Sequence, residues 1–321
     1  MGKGLVLNKM NERYYQEACA VMNEVKKVVI GKDECVRLAM AAILAGGHIL
    51  IDDIPGVGKT TLAMAFAGAM EMDSHRMQFT PDVLPADILG FSMYEKAQGA
   101  FVYQPGAIMC NLFLADEINR TSPKTQSALL EVMEERQASV EGKTWALPDP
   151  FFVIATQNPS GSSGTQFLPE SQLDRFMICL SMGYPSHQDA VSILKGEVWK
   201  QAQERRRVLT AEELKQLQKE TEQIYVHDAV YDYIVSLVEE TRKPGLFAEG
   251  ASPRASIALL RMARAMARLE ERDFVTAQDV QSVLKEVLGH RVKLGTRARA
   301  EGMDTAECIR ELILNVKSPR S

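Results

Sequence analysis

Near its amino terminus the chain reads His48-Ile-Leu-Ile-Asp-Asp-Ile-Pro-Gly-Val-Gly-Lys-Thr-Thr61. The apolar start of this segment has glycines before it and a Pro-Gly turn after it, which is typical of a buried strand in a parallel sheet. Residues 61–70 are rich in alanine and methionine, and this composition favours a helix. The segment therefore predicts a strand, a glycine-rich turn and a helix in direct succession.

The turn has the composition of a phosphate-binding loop. Gly56 and Gly58 allow the backbone to curl so that successive N–H groups point at one anion. The helix that follows adds its positive amino end. Lys59 is placed to reach the β- and γ-phosphates of a nucleotide, and Thr60 to ligate Mg²⁺. We therefore expect ATP and Mg²⁺ as cofactors. The residues predicted to hold ATP here are Pro55, Gly56, Val57, Gly58, Lys59, Thr60 and Thr61.

One position departs from the usual spacing of such a loop, G-x-x-x-x-G-K-[ST]. The first glycine position holds Asp53. A helix start that carries Gly-Lys-Thr by chance is the alternative interpretation. The strand before the turn and the helix after it favour the phosphate loop.

Further short apolar runs predict the rest of the sheet. Helical segments separate most of them, and strands that alternate with helices favour a parallel α/β sheet. The four runs are Arg76–Phe79, Leu112–Ala115, Phe151–Ala155 and Met177–Ser181.

The strand patterns stop after Pro185, and the rest of the sequence is typical of helices. A chain of 321 residues is long enough for two domains. The fold class predicted is α/β, a P-loop NTPase with a parallel sheet core and a second, smaller, all-helical lid domain. We place the core at 1–190, a linker at 191–208 and the lid at 209–321.

Leu112-Phe-Leu-Ala-Asp-Glu117 is an apolar strand that ends in two adjacent carboxylates. Because side chains alternate along a strand, Asp116 and Glu117 need not compete for one position. Asp116 is expected to hold Mg²⁺ through water, and Glu117 to orient or deprotonate the attacking water. Ordinary surface acids after a strand end are the alternative, which the nearby phosphate loop disfavours.

Phe151-Phe-Val-Ile-Ala-Thr-Gln-Asn-Pro159 is another apolar strand that ends in polar residues. Ligands bind at the carboxyl ends of strands in parallel sheets, which places Asn158 near the γ-phosphate or the attacking water. A turn-forming asparagine before Pro159 is the alternative, and it is the better supported one when this segment is taken alone.

Taken together, these segments resemble the MoxR family of AAA+ ATPases. The family often lacks the first glycine of the loop, so Asp53 is compatible with it. The matching segments follow the family's order and span nearly the whole chain: Ile54–Thr60, Phe113–Arg120, Lys124–Gln137, Ala155–Pro159, Leu168–Phe176 and Gly250–Ser256.

The resemblance implies roles for individual residues. The loop lysine and threonine match Walker A, the adjacent carboxylates match Walker B, and Asn158 matches sensor 1. Arg175 matches the arginine finger, which reaches the nucleotide of a neighbouring subunit, and Arg254 matches sensor 2 on the first turn of a lid helix. Ile30 and Gly31 lie in the turn that packs on adenine. From the residues alone, a surface ion pair of Arg175 with the preceding aspartate and a cap of the lid by Arg254 are simpler interpretations.

Two hairpins are expected from the same resemblance. Residues 138–147 match the insertion before sensor 1, and Tyr94–Pro105 matches the insertion that projects toward the ring pore or a client. Phe101 and Tyr103 are candidates for gripping a client, with packing inside the hairpin as an equal alternative. Pro159–Gly164 departs from the family's pattern and is expected to be flexible.

Composition narrows the functional classes. The net charge is −5, whereas proteins whose main task is to grip nucleic acid usually carry a basic excess. The five cysteines are scattered singly, which argues against a zinc site or a disulfide framework. No apolar run reaches the roughly 18–20 residues that span a bilayer. We therefore expect a cytoplasmic protein without membrane insertion.

The function predicted is Mg²⁺-dependent ATP hydrolysis that drives chaperone-like remodelling or maturation of client proteins, such as insertion of a cofactor or metal. By resemblance, the enzyme is a homo-oligomeric ring, with six subunits expected, and a von Willebrand A-domain protein is an expected partner. A nucleotide-gated switch or scaffold with little hydrolysis is one alternative. A nucleic-acid motor is another, and the acidic charge balance argues against it.

Overall fold

The computed structural model describes residues 15–158, 168–196 and 206–319. Within these ranges the strands, in chain order, are β1 Ile49–Asp52, β2 Met70–Glu71, β3 Ser74–Gln78, β4 Gly90–Glu95, β5 Ala100–Pro105, β6 Leu112–Asp116, β7 Gln137–Val140, β8 Lys143–Ala146, β9 Phe152–Gln157, β10 Ile178–Leu180, β11 Leu209–Thr210, β12 Phe247–Glu249 and β13 Lys293–Leu294.

The helices alternate with these strands in the first half of the chain and dominate the second half. In chain order they are α1 15–26, α2 Asp33–Leu44, α3 Lys59–Ala69, α4 Pro85–Leu89, α5 Pro123–Glu135, α6 Glu170–Leu173, α7 His187–Leu194, α8 Ala211–Glu222, α9 Asp228–Glu240, α10 Pro253–Leu269, α11 Ala277–Leu288, α12 Thr296–Ala300 and α13 Thr305–Asn315.

The five predicted strand runs form one parallel sheet in the order β10-β1-β9-β6-β3. Alternate residues of a strand enter two different cores. Ile49 and Ile51 pack with α2 and α3, whereas Leu50 joins the core under α5. Since both faces are covered by helices, β1 is apolar almost throughout instead of alternating. The predicted α/β sheet is confirmed.

The second half of the chain is helical, as predicted, and its helix starts carry the expected capping boxes. Thr210 with Glu213 begins α8 and Asp304 with Glu307 begins α13, each with both reciprocal hydrogen bonds. The strand pairs β11–β2 and β12–β13 were not predicted. Strands of two or three residues are too short to show an alternating pattern.

The predicted linker boundaries match the chain only partly. Helix α7 begins at His187 and continues through Leu194, so it crosses the predicted boundary after residue 190. Residues 197–205 of the predicted linker lie outside the described residues, as does the Pro159–Gly164 departure.

One buried arginine joins the lid to the core. Arg291 follows α11, and its side chain is 3% exposed. Its guanidinium donates to the Asp174 carboxylate at 2.8 Å and to the Phe176 carbonyl at 2.6 Å. The Ser252 hydroxyl at the start of α10 donates to the same carboxylate at 2.8 Å. Two lid elements therefore hold the segment that precedes β10.

Both predicted hairpins are present, as β4–β5 and β7–β8. Tyr103 stacks on Trp145 with ring centroids 3.9 Å apart, and its hydroxyl donates to the Leu89 carbonyl at 2.6 Å. Phe101 is 68% exposed and contacts Tyr94 edge to face. Tyr103 therefore packs between the two hairpins, whereas Phe101 presents its ring to solvent. No helix in the described ranges is long and apolar enough to cross a membrane.

His48 connects the start of β1 to two other elements inside the core. Its Nε2 lies 3.0 Å from the Met133 carbonyl, and its Nδ1 accepts the Val153 N–H at 3.0 Å. These partners need a neutral ring with the proton on Nε2. Burial lowers the pKa of His48 to about 4, because the charged ring is costly without water.

We expect the protein to lose stability between about pH 6.5 and pH 4, in part through His48. The unfolded chain takes up a proton near the ordinary histidine pKa while the folded ring stays neutral, so the free energy of unfolding falls as the pH falls. At about 1.4 kcal/mol per pH unit, His48 accounts for roughly 2 kcal/mol at pH 5. Denaturant unfolding at pH 7.5 and pH 5 measures this difference.

The matched variants are His48→Gln and His187→Gln, because the His187 side chain is exposed. His48→Gln is expected to shrink the difference between the two pH values, and His187→Gln to leave it unchanged. An equal pH dependence in wild type and His48→Gln contradicts the assignment.

Candidate nucleotide-binding site

The glycine-rich loop joins the carboxyl end of β1 to the amino end of α3. Gly56 and Gly58 have φ of 84° and 97°, in the left-handed region that favours glycine. A Cβ on Gly56 would meet nothing within 4 Å, so the backbone conformation and not a lack of space requires glycine there. A loop with these conformations directly before a helix is the arrangement that an anion site needs.

Lys59 begins α3 and folds back onto the strand ends. It is 7% exposed, and its ammonium donates to the Gln157 carbonyl at 2.7 Å, to Asn158 Oδ1 at 2.6 Å and to the Asp53 carbonyl. Burial lowers the pKa of Lys59, and nearby carboxylates partly offset that shift. The structure thus brings the predicted loop lysine and the predicted sensor asparagine into direct contact.

Asp116, at the end of β6, accepts hydrogen bonds through both oxygens. The Thr60 hydroxyl donates to Oδ2 at 3.0 Å, and the Thr156 hydroxyl donates to Oδ1 at 2.5 Å. Arg76 also reaches Oδ2, at 2.8 Å. A hydroxyl and a carboxylate side by side are the hard oxygen donors that Mg²⁺ prefers. Thr60 and Asp116 therefore fit the predicted metal site.

Glu117 has a backbone in the left-handed region, with φ of 56°. Such a conformation costs about 1–3 kcal/mol outside glycine and is typical of functional sites. Its N–H donates to the Thr156 hydroxyl at 2.9 Å. Its carboxylate accepts from Asn158 Nδ2 at 3.3 Å and from Arg120 at 2.7 Å. Glu117 and Asn158 therefore contact each other, and Arg120 is a partner of Glu117 that the sequence reasoning did not single out.

A cleft of about 440 Å³ opens beside the loop. Ile30 lines it, but Gly31, Pro55 and Lys59 are not among its lining residues. Gly31 has φ of 70°, and a Cβ there would collide with the Asp189 side chain of α7, so both the turn and the close packing favour glycine. Lining residues that the sequence reasoning did not assign to the site are Val28, Val29, Lys32, Met64, Met182, Pro185 and Ile193. Most are apolar residues far apart in the chain, and no local pattern distinguishes them from core residues.

Asp53, which replaces the first glycine, fastens the loop to the end of β10. Its Oδ2 accepts the Met182 and Gly183 N–H groups at 2.6 Å each and the Ser181 hydroxyl at 2.9 Å, while Oδ1 accepts the Ile54 N–H at 2.7 Å. Burial alone would raise the pKa of Asp53, but these hydrogen bonds together lower it. The departure from the usual spacing therefore has a structural role of its own.

Arg175 and Arg254 lie together, away from the loop of their own chain. Both pair with Glu134 near the end of α5, Arg175 at 3.0 Å. That end of α5 is at the amino edge of the sheet, since Met133 contacts His48 directly before β1. The predicted arginine finger and sensor 2 residue thus occupy the edge opposite the loop, beside a cavity of about 230 Å³.

Both arginines form ion pairs within their own chain, with partners other than those that the simpler interpretations name. The carboxylate of Asp174 is held by Arg291 and Ser252, so the neighbouring Arg175 turns to the Leu130 carbonyl and Glu134. Arg254 reaches from the lid onto the core helix α5 instead of capping its own helix.

Family models match both halves of the chain. Residues 48–178 match the ATPase family associated with various cellular activities (AAA), and residues 239–312 match the AAA lid domain. The fold and the loop-centred cluster define the chain as an AAA+ P-loop protein.

Similar proteins refine this class. Chaperone MoxR1 of Mycobacterium tuberculosis is 39% identical over 308 residues, covering 92% of this chain and 81% of that protein. Protein MoxR of Methylorubrum extorquens is 31% identical, covering 84% and 86%. The crystal structure of a candidate ATPase from Cytophaga hutchinsonii superimposes with a TM-score of 0.90 at 33% identity, covering both chains fully. The chain belongs to the MoxR family of AAA+ ATPases.

Replacing Asp53 by Asn is expected to loosen the loop. All the hydrogen-bond partners of this carboxylate donate, and an amide offers only one acceptor oxygen, so at least one donor loses its partner. The cost of such a loss is about 1–3 kcal/mol. We expect a lower denaturation midpoint together with weaker binding of a fluorescent ADP analogue, because the loop and the cleft wall at Met182 separate.

The matched control is Asp232→Asn, since Asp232 is exposed on α9. It should change neither quantity. Nucleotide affinity at the wild-type level in Asp53→Asn would contradict a positioning role for Asp53.

Proposed function

We propose that this chain is a Mg²⁺-dependent ATPase whose active site is completed between the subunits of a homo-oligomeric ring. One observation carries the proposal. The loop-side cluster around Lys59 and the arginines at Glu134 occupy opposite edges of one sheet. One chain cannot bring these two sets of residues to the same nucleotide, whereas two neighbouring chains can. The predicted finger role requires this arrangement.

The residues on the loop side divide the work of hydrolysis. The loop N–H groups and Lys59 bind the β- and γ-phosphates, and Thr60 with Asp116 holds Mg²⁺. When bound, Mg²⁺ neutralises charge on the phosphate oxygens. Glu117 accepts a proton from the attacking water, and its contact with Asn158 places that water near the γ-phosphate.

Arg175 and Arg254 act on the nucleotide of the neighbouring subunit. An arginine supplied across an interface increases the rate about 10³–10⁵-fold, because it stabilises charge that develops in the transition state. Glu134 holds both guanidinium groups at the rim of one cavity. The pair is thus presented as a unit to the next copy.

Nucleotide turnover drives remodelling of a client protein. Arg254 sits on the first turn of the lid helix α10, whose Ser252 cap is fastened to the core at Asp174. A nucleotide that binds Arg254 of the neighbouring subunit therefore moves the lid of that subunit relative to the core that holds the nucleotide. The exposed Phe101 on the β4–β5 hairpin is the candidate client contact.

The proposed role in client maturation is drawn from the MoxR family. One relative bears the name chaperone, which supports a chaperone-like role, and maturation of clients by insertion of a cofactor or metal is part of the proposal. A hexamer and a von Willebrand A-domain partner are parts of this proposal, as is a cytoplasmic location.

The test of the ring is ATP hydrolysis per protomer measured across protein concentrations and in mixtures of variants. Lys59→Ala and Arg175→Ala should each be inactive alone. Mixed together they should regain turnover, because a Lys59→Ala subunit supplies its arginine to the intact site of an Arg175→Ala neighbour. The specific rate of the wild type should rise with concentration until sizing shows full assembly.

Arg310→Ala is the matched control, because Arg310 is 69% exposed on the last described helix, and it should behave as wild type alone. Mixtures that stay inactive although the variants co-assemble would sink the shared-site proposal. Nucleotide binding without turnover in assembled protein would instead support the switch.

The client role predicts that an unfolded protein accelerates ATP turnover. Reduced, carboxymethylated α-lactalbumin serves as the probe, and the measurement is the ratio of rates with and without it. Phe101→Ser should abolish the acceleration, because it removes the exposed apolar ring. Leu314→Ser, at a side chain 84% exposed on another surface, should retain it. Equal acceleration in both variants contradicts the assignment of Phe101.

A further inference from the structure

Arg76 is a charged side chain at the nucleotide site. The roles proposed for the loop and for the paired carboxylates do not include it. It lies on β3, the edge strand of the sheet. Its Nη2 is 2.8 Å from Asp116 Oδ2. The sequence reasoning included Arg76 only as the start of a strand.

The strand register explains why Arg76 reaches this carboxylate. Arg76 pairs with Leu114 and Gln78 with Asp116 on the neighbouring parallel strand. Because side chains alternate, Arg76, Leu114 and Asp116 project from the same face of the sheet. That face packs against α3, which carries Thr60. The arginine therefore enters the site from the open side of the sheet, two residues before the strand end.

Exposure differs strongly between the two partners. The Arg76 side chain is 49% exposed, whereas that of Asp116 is 7% exposed. An exposed arginine is long and free to change rotamer, while the buried carboxylate is fixed by the Thr60 and Thr156 hydroxyls. The ion pair can consequently open by movement of the guanidinium alone, and the two hydroxyls then remain as partners of the carboxylate.

The oxygen that Arg76 uses is the oxygen that faces the metal site. Asp116 Oδ2 also accepts the Thr60 hydroxyl, and Thr60 with Asp116 is the pair that fits Mg²⁺. A guanidinium and a divalent cation next to one carboxylate repel each other. The guanidinium and the metal ion therefore compete for the same carboxylate oxygen.

We propose that Arg76 is a positioning residue that holds Asp116 as its cation partner before nucleotide arrives and competes with Mg²⁺ for that carboxylate. Metal loading displaces the guanidinium. Binding of free Mg²⁺ is thereby disfavoured. Binding of Mg²⁺ together with a nucleotide is favoured, because the phosphates add negative charge. This inference rests on the proposed function of the same site.

The experiment is a Mg²⁺ titration of the full chain with a fluorescent ADP analogue, started in EDTA. It yields the Mg²⁺ concentration at half-maximal metal-dependent signal without any turnover. Arg76→Gln is expected to lower that concentration at least about threefold, because the competing charge is gone. Arg76→Lys keeps the charge and should stay near the wild type. Arg310→Gln is the control for loss of an exposed arginine and should match the wild type.

A second readout is direct. Binding of Mn²⁺ to the ADP-loaded protein, followed by the loss of the free-ion EPR signal, should tighten in Arg76→Gln by the same factor. Thermal unfolding of each variant shows that the fold is kept, and Arg76→Lys provides a folded comparison if Arg76→Gln is unstable.

The outcomes separate this inference from the proposed function. An unchanged or higher half-maximal Mg²⁺ concentration in Arg76→Gln overturns the competition and assigns Arg76 a supporting role in metal binding instead. Equal shifts in Arg76→Gln and Arg76→Lys overturn it as well, because the charge would then not be the cause. Wild-type protein that binds nucleotide without any response to Mg²⁺ refutes the proposed metal site itself.

Discussion

The structure depends on one directional constraint: all five strands of the central sheet run the same way. Each strand therefore delivers its last residues to the same edge, and the phosphate loop, Asp116 and Asn158 meet there although they are far apart in sequence. The same constraint sends the strand beginnings to the other edge, where Arg175 and Arg254 share Glu134. In the proposed function, one edge holds a nucleotide and the other acts on the nucleotide of another copy. A closed ring is the arrangement that brings every loop-side edge to an arginine-side edge of another copy.

Lys59, Asp53 and Asp116 are the principal charged groups at the loop-side edge. All three are buried, and each has several polar partners. Lys59 donates to three oxygens, and Asp53 accepts from four donors. Asp116 is held by two hydroxyls and a guanidinium. A buried charge without partners would cost several kcal/mol or change its protonation state. These networks fix the positions of the groups before nucleotide binds, which is the preorganisation that phosphoryl transfer uses in place of covalent chemistry.

Further contacts outside this edge join the sheet to the lid and join the two hairpins to each other. Arg291 and Ser252 link the lid to the segment that carries Arg175. The stacked pair of Tyr103 and Trp145 joins the two hairpins. Arg76 joins the metal carboxylate to the edge strand β3, and the chain continues from this strand toward the β4–β5 hairpin. The site and the β4–β5 hairpin are thus connected along the chain.

The sequence by itself determined the sheet, the helical lid, the phosphate loop and the adjacent carboxylates. Each of these features has a short sequence pattern, such as an apolar run before a glycine turn. Such a pattern determines local backbone structure without contacts to distant residues. Tertiary structure alone decided that Asp53 fastens the loop to β10 and that Arg76 shares Asp116. It also decided that Tyr103 packs while Phe101 is exposed, and that Arg254 lies with Arg175. Each of these depends on which distant segment packs nearby, and no local pattern encodes a contact between residues that only the fold brings together.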